Sequence, residues 1–260
     1  MSKPLRVLSV DWDYFINATE YERFTMFPDG GNENLGNGLR NMIWAGRYAT
    51  SPDLSKITVD EGELENLQRV INHSPAAKIR LADSHRFIYE SAEYEYKRGD
   101  YTGIEIDNID YHHDYYNIGT ATEVNCGNWV NAIFDISSTF RFVKGRKYKR
   151  YRWVKRVDSD VSKELEKREW FRCCELNDLY GEPYDIIYIC RSAMWSPPHL
   201  DSRFIDEMRP LVMSKSSGRH VRVLEDLSDR FTHDLQDYIK QEQESYQRAL
   251  KQLSVPGESW

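Results

Sequence analysis

Short apolar runs alternate with helical patterns along this chain. Leu5 to Val10 (LRVLSV) is a β-rich run closed by polar residues, the pattern of a strand buried on both faces. AKIRLA over 77–82, the apolar part of TGIEIDNID before Asp110, and YDIIYIC over 184–190 have the same character. KITV over 56–59 is a weaker strand candidate. The spacing predicts helices over about 39–48, 87–97 and 128–136, and over 61–71, where Leu64, Leu67, Val70 and Ile71 share one face. Pro28 to Gly38, rich in Gly and Asn, reads as a long loop. Pro197 and Pro198 hold off helix until about Ser202, and the chain is then mostly helical to about 253. Its last helix, 234–253, has only a thin apolar stripe and belongs on the surface. Repeated strand, loop and helix predict an α/β fold, and 260 residues of this kind fit one domain.

Composition narrows the classes. With 42 acidic against 35 basic residues the net charge is −7, which argues against general nucleic-acid affinity and suits a cationic substrate if the acids converge. No basic segment followed by an apolar run opens the chain, and no stretch nears the roughly 18 apolar residues that cross a bilayer, so a soluble, cytoplasmic protein without membrane partners is expected. Cys126, Cys173, Cys174 and Cys190 lack the paired spacing of a zinc site, and reduced thiols are expected. A basic arm at about 140–156 has eight Lys or Arg among the thirteen residues from Lys144 to Arg156, interleaved with Tyr148, Tyr151 and Trp153. It reads as a hairpin or arm turning near Gly145, either contacting nucleic acid or forming a solvated edge guarded by charge.

Three clusters follow the expected strands: Asp11 and Asp13 in DWD, His85 in DSH, and Asp110, His112 and Asp114 in DYHHD. Ends of strands are where open α/β sheets place ligands. On an extended segment alternate side chains share a face, so Asp11 and Asp13 would point together with Trp12 turned away, and Asp110, His112 and Asp114 likewise. Four carboxylates and two imidazoles supply enough oxygen and nitrogen for two neighbouring divalent cations, with manganese favoured over iron, cobalt or nickel, and zinc least. Each cluster has a plainer alternative: D-x-D can cap a turn, and D-x-H-x-D can be a polar turn with a satisfied histidine.

IDYHHD resembles the D-x-H-x-D signature of the arginase and ureohydrolase superfamily, DWD its D-x-D signature, and DSH the segment of its isolated histidine. The order differs, since D-x-D comes first here, so the resemblance implies a circularly permuted, three-layer α/β/α fold with a mainly parallel sheet. DWDYF, DYHHD and CGNWV also resemble the UPF0489 family, whose characterised branch consists of peptide arginases. The likeness covers about the first 135 residues. It implies that Asp11 and Asp110 bridge two Mn2+ ions, that His85 and Asp114 complete one and His112 and Asp13 the other, and that water between the ions is the nucleophile. The implied reaction converts arginine side chains of a ribosomally made precursor peptide to ornithine and urea. Alternatives are a ureohydrolase for free arginine, agmatine or another small guanidine, and a metal-dependent peptide-binding protein without turnover. Glu61 resembles the glutamate that holds the guanidinium, with Glu63 as its rival; a first-turn carboxylate serving the helix dipole is the plainer reading. Asn128, His199 and Asp201, with Arg191, are further candidates at the mouth. Beyond Gly127 and Asn128, where arginases carry a proton-shuttling histidine, this chain has Trp129, which leaves the proton donor unassigned. On this reading the basic arm could dock an acidic leader of the precursor.

Overall fold

The computed structural model describes residues 3–28, 35–116, 124–134, 148–156, 163–213 and 220–253. Its strands are β1 (Leu5–Asp11), β2 (Ile16–Asn17), β3 (Thr58–Val59), β4 (Lys78–Ala82), β5 (Gly103–Ile109), β6 (Tyr148–Val154), β7 (Phe171–Cys174), β8 (Ile186–Cys190) and β9 (Val221–Val223). Its helices are α1 (Glu20–Met26), α2 (Asn37–Thr50), α3 (Glu61–Asn72), α4 (Ile88–Arg98), α5 (Trp129–Phe134), α6 (Lys163–Glu166), α7 (Asp201–Met213) and α8 (His233–Leu253).

Seven strands form one sheet in the order β7-β6-β5-β1-β8-β4-β9, and every neighbouring pair runs parallel. Parallel strands need crossovers that cover both faces, so β1 and β8 are buried at every position and sort their side chains by alternation. Leu8 and Val10 of β1, Ile187 and Ile189 of β8 and Ile79 and Leu81 of β4 face one core, with Trp44 of α2, Leu64 and Leu67 of α3 and Phe204 of α7. Leu5 and Val7, Ile186 and Tyr188, and Ile104 and Ile106 of β5 face the other, with Ile88 and Ala92 of α4 and Trp129 and Val130 of α5. The result is the three-layer α/β/α sandwich with a parallel sheet that was expected. Each fully buried aliphatic side chain adds about 1.5–3 kcal/mol.

Most expected elements are present. The strands at 5–10, 77–82 and 184–190 appear as β1, β4 and β8, and the helix at 61–71 as α3, started by Asp60, whose side chain accepts from Glu63 N. Four expectations need correction. Strand KITV shrinks to Thr58–Val59 and pairs antiparallel with β2, outside the main sheet. Helix α2 begins at Asn37, inside the expected loop, and residues 29–34 of that loop lie outside the described residues. The basic stretch is no hairpin edge: β6 lies between β5 and β7, with Tyr151 and Trp153 fully buried. The turn near Gly145 and the arm over 140–147 lie outside the described residues. The helical C-terminal region at about 202–253 also contains β9, which adds to the sheet edge beside β4. Helix α8 lies on the surface as expected, burying Leu235 and Ile239 while Tyr246 and Leu250 stay exposed. No described helix is long and apolar enough to cross a membrane.

Candidate metal centre

Register brings the clusters together. β1 pairs Val10 with Ile109 of β5, so Asp11 and Asp110 leave the sheet side by side. On its other side Asp11 is opposite Cys190 of β8, and Cys190 is opposite Ala82 of β4, three residues before His85. Turns, not extended alternation, then aim the remaining donors. Asp11 caps a single 3-10 turn over Trp12–Phe15, its Oδ1 accepting from Asp13 N at 3.0 Å, which swings Asp13 inward. Trp12 turns away into the core against Phe204, as expected. Asp110 Oδ1 accepts from His112 N at 2.7 Å, and Asp114 sits at φ 48°, a left-handed backbone that aspartate tolerates better than most residues. The plain reading of D-x-D as a turn cap is therefore true, and the cap is what positions Asp13.

The six donors form two adjoining groups. His85 Nδ1 lies 3.2 Å from Asp11 Oδ2, 3.4 Å from Asp114 Oδ2 and 3.6 Å from Asp110 Oδ2. His112 Nδ1 lies 3.2 Å from Asp13 Oδ2 and 3.8 Å from Asp110 Oδ1. Asp110 thus turns one oxygen to each imidazole. Ligand atoms of Asp13, Asp110 and His112, and of His85, Asp110 and Asp114, lie within 4.8 Å of one another, as do those of Asp11, His85 and Cys190. All except His112 are buried, and His112, its side chain 23% exposed, marks the opening. Its ring packs 4.7 Å from Trp195 and 5.2 Å from Tyr111.

Supporting groups orient these donors. Trp129 Nε1 donates to Asp114 Oδ2 at 2.6 Å, Asn108 Nδ2 to Asp110 Oδ2 at 3.1 Å and Trp153 Nε1 to the Asp110 carbonyl at 2.9 Å. Ser9 Oγ is 3.1 Å from His85 Nε2, which leaves Nδ1 facing the carboxylates. Arg23 Nη2 donates to the Asp13 carbonyl at 2.7 Å, and its guanidinium stacks 4.0 Å over Tyr111.

Packing four carboxylates in a dry site strains their ionisation. Burial, then Asp13 close by, pushes Asp11 up to about 6. Burial and the neighbouring Asp114 and Asp11 raise Asp110 well above the carboxylate range. Burial would raise Asp13 too, but the His112 imidazole and Arg23 outweigh it and hold Asp13 low. The acids overcome desolvation at His85, lifting it to about 10, and at His112 Asp13 does the same. Asp13 Oδ2 is buried without a hydrogen bond. A cluster of acids that repel one another, with an orphaned carboxylate oxygen and imidazoles turned toward it, fits divalent cations: they would supply the missing positive charge to all four acids at once. Buried clusters of Asp, His and Cys here can hold a metal ion.

The auxiliary candidates lie in other surroundings. Glu61 is exposed and held by Arg203, whose Nη2 and Nε lie 2.6 and 3.1 Å from its oxygens. Asp201 is buried between Arg191 and Arg230. His199 meets Tyr48 OH through Nδ1 and the Ile57 carbonyl through Nε2. Asn128 accepts from Asn125 N at 2.7 Å, shaping the turn before α5. His113, adjacent to His112, points away, its Nδ1 accepting from Tyr115 N. Glu63 meets Tyr14, the residue after Asp13, whose hydroxyl lies 3.5 Å from Glu63 Oε2, and burial followed by Asp60 raises this acid. Tyr14, Asp60 and Glu63 line an open groove of about 820 Å³ with Arg156 and Cys174. A second groove, about 490 Å³, is lined by Tyr21, Phe24, Phe27, Tyr111 and Trp195.

Sequence reasoning missed Cys190, Trp129, Asn108 and Ser9. Asn108 and Ser9 stand two residues before Asp110 and Asp11 on the same strand faces, a period-2 signal that could have found them; nothing local marked Cys190 or Trp129. Comparison with protein-family models, curated proteins and solved structures finds no match.

Proposed function

We propose that this protein is a dinuclear-metal hydrolase that converts arginine side chains of a ribosomally made peptide to ornithine with release of urea. The observation that carries the reading is Asp110, whose two oxygens face His85 and His112 in separate donor groups, as a carboxylate shared by two ions would. Asp11, His85 and Asp114 would hold one cation with it, and Asp13 and His112 the other. Divalent cations there, Mn2+ by the hardness of an oxygen and nitrogen donor set, would lower the pKa of water held between them and polarise the substrate.

The chain's own residues do the rest. Trp129 fixes Asp114, Asn108 fixes Asp110 and Ser9 fixes the His85 ring, so the donors are preorganised. Four carboxylates would neutralise two dications, so the loaded centre would not repel a guanidinium at the opening beside His112. Trp195, packed 4.7 Å from His112, flanks that opening and can stack on the planar cation. Glu63, which lines an open groove with Tyr14 and Asp60, would orient it. Hydrolysis adds water across a guanidinium C–N bond, and the departing amine takes a proton. A peptide substrate is supported by the open groove beside His112, lined by Tyr21, Phe24, Tyr111 and Trp195. Of the described cations of the basic stretch, Arg150 pairs with Glu105 and Arg152 with Asp107, while Lys155 and Arg156 line the groove beside Glu63; residues 140–147 of the arm lie outside the described residues.

The test is incubation of Mn2+-loaded protein with an arginine-containing peptide and, separately, with free arginine. Urea and the mass decrease from guanidine to amine are expected on the peptide, with Asp110→Ala inactive. Turnover of free arginine alone would point to a small-molecule ureohydrolase, and binding of peptide without urea to a recognition protein.

A further inference from the structure

We propose that Cys190 is a sulfur ligand of the cation held by His85 and Asp11, so that the two halves of the centre differ in metal preference. The inference rests on the dinuclear reading above and adds a residue to it. Cys190 ends β8 directly beside Asp11 in the register, fully buried, and its sulfur lies within 4.8 Å of ligand atoms of both Asp11 and His85. That spacing suits a common ion with metal–sulfur and metal–nitrogen bonds of about 2.3 and 2.1 Å. Ser192 N donates to the sulfur at 3.2 Å, which fixes its position at the end of β8. Cys173 and Cys174 provide the contrast: they sit on β7, more exposed, and belong to none of the metal-ligand groups among the described residues.

On binding, the thiol releases its proton to solvent and the sulfur donates its electron pair to the cation; nothing is oxidised or reduced. The His85 half then offers sulfur, nitrogen and oxygen, a softer set suited to Zn2+, Co2+ or Fe2+. At the His112 half the donors are oxygen and nitrogen only, the harder set suited to Mn2+. A mixed pair follows, one softer ion deep in the site and one harder ion at the opening.

Titration of the metal-free full-length protein with Co2+, followed by absorption, tests this. Two Co2+ per chain are expected, with a near-ultraviolet thiolate-to-cobalt band that grows with one of them. Cys190→Ser and Cys190→Ala should each lose that band while keeping the visible cobalt transitions, and Cys173→Ser should keep it. X-ray absorption of the unmutated Zn2+ form, which needs no variant to fold, should show a sulfur neighbour at about 2.3 Å. Two bound Co2+ without the band, or a band that survives in both Cys190 variants, overturns the sulfur assignment and leaves the dinuclear reading intact. Failure to bind Co2+, Zn2+ or Mn2+ at all overturns both.

Discussion

At the scale of single residues the clustered donors are held by side chains packed behind them. Trp129 lies in the core and gives its one N–H to Asp114. Trp129→Phe keeps the packing and removes that donor, so Mn2+ affinity should fall roughly 10- to 100-fold by isothermal titration, as for other groups that orient metal ligands; unchanged affinity would mean that Asp114 is not a ligand. Asp110→Asn separates the roles of repulsion and ligation. Removing one carboxylate from a crowded acidic cluster should leave the metal-free protein at least as stable as the parent, while the stabilisation by Mn2+ shrinks. A metal-free variant markedly less stable than the parent would show that the Asp110 charge serves the fold. The convergence of the six Asp and His donors was legible because their residue types and spacing after strands are the pattern of a shared polar centre. Cys190 and Trp129 were not, because their relevance depends on the β1–β8 register and on α5 packing over the sheet, neither of which has a local signature.

At the scale of elements, the strands written in aliphatic residues were legible and the charged one was not. β6 reads YKRYRWV, which as a sequence looks like a solvated arm, yet it is an interior strand. The explanation lies in the neighbouring strand: Glu105 pairs across the ladder with Arg150 and Asp107 with Arg152, so charges 45 residues apart cancel on one face while Tyr151 and Trp153 fill the other. Arg152 donates through Nε and Nη2, both at 2.7 Å, to Asp107, which is almost fully buried. Arg152→Ala should therefore destabilise the protein by about 2–3 kcal/mol in urea unfolding, with metal stoichiometry unchanged; a change within about 0.5 kcal/mol, the usual span for surface sites, would return the stretch to a solvated arm. The short strands β7 and β9 escaped notice because four and three residues carry too little pattern. Helix α3 and strand β4 were easy for the opposite reason, as periodicity, cap and apolar content agree there.

At the scale of the whole molecule, the strand ends are braced by buried charge. Arg191 joins Asp83 to Asp201, and Arg230 grips Asp201 and the Ala193 and Ser196 carbonyls, fixing the chain after β8 where the mouth forms. His199 is part of the same frame. Its Nε2 must donate to the Ile57 carbonyl, so Nδ1 accepts from Tyr48 OH, and the ring is neutral. Burial lowers its pKa, so protonation favours the unfolded chain. Its stabilising contribution is complete above the ordinary histidine value of about 6.5 and is lost as pH falls from there toward the lower folded value. The stability gap between the parent and His199→Gln should accordingly narrow below about pH 6.5 in thermal scans, and a gap that widens there would reverse the assignment.

The centre itself couples to global stability. At a Mn2+ concentration about 100 times its dissociation constant, linkage gives about 2.7 kcal/mol per site, or roughly 5–10 °C in Tm for a chain of this size. Counting the ions bears on the centre most directly: metal analysis together with electron paramagnetic resonance of protein loaded with Mn2+ and freed of excess. A shared Asp110 predicts two Mn2+ per chain with the spectrum of an exchange-coupled pair, and loss of that coupling in Asp110→Asn. A single divalent ion of any kind per chain, or none, would contradict it.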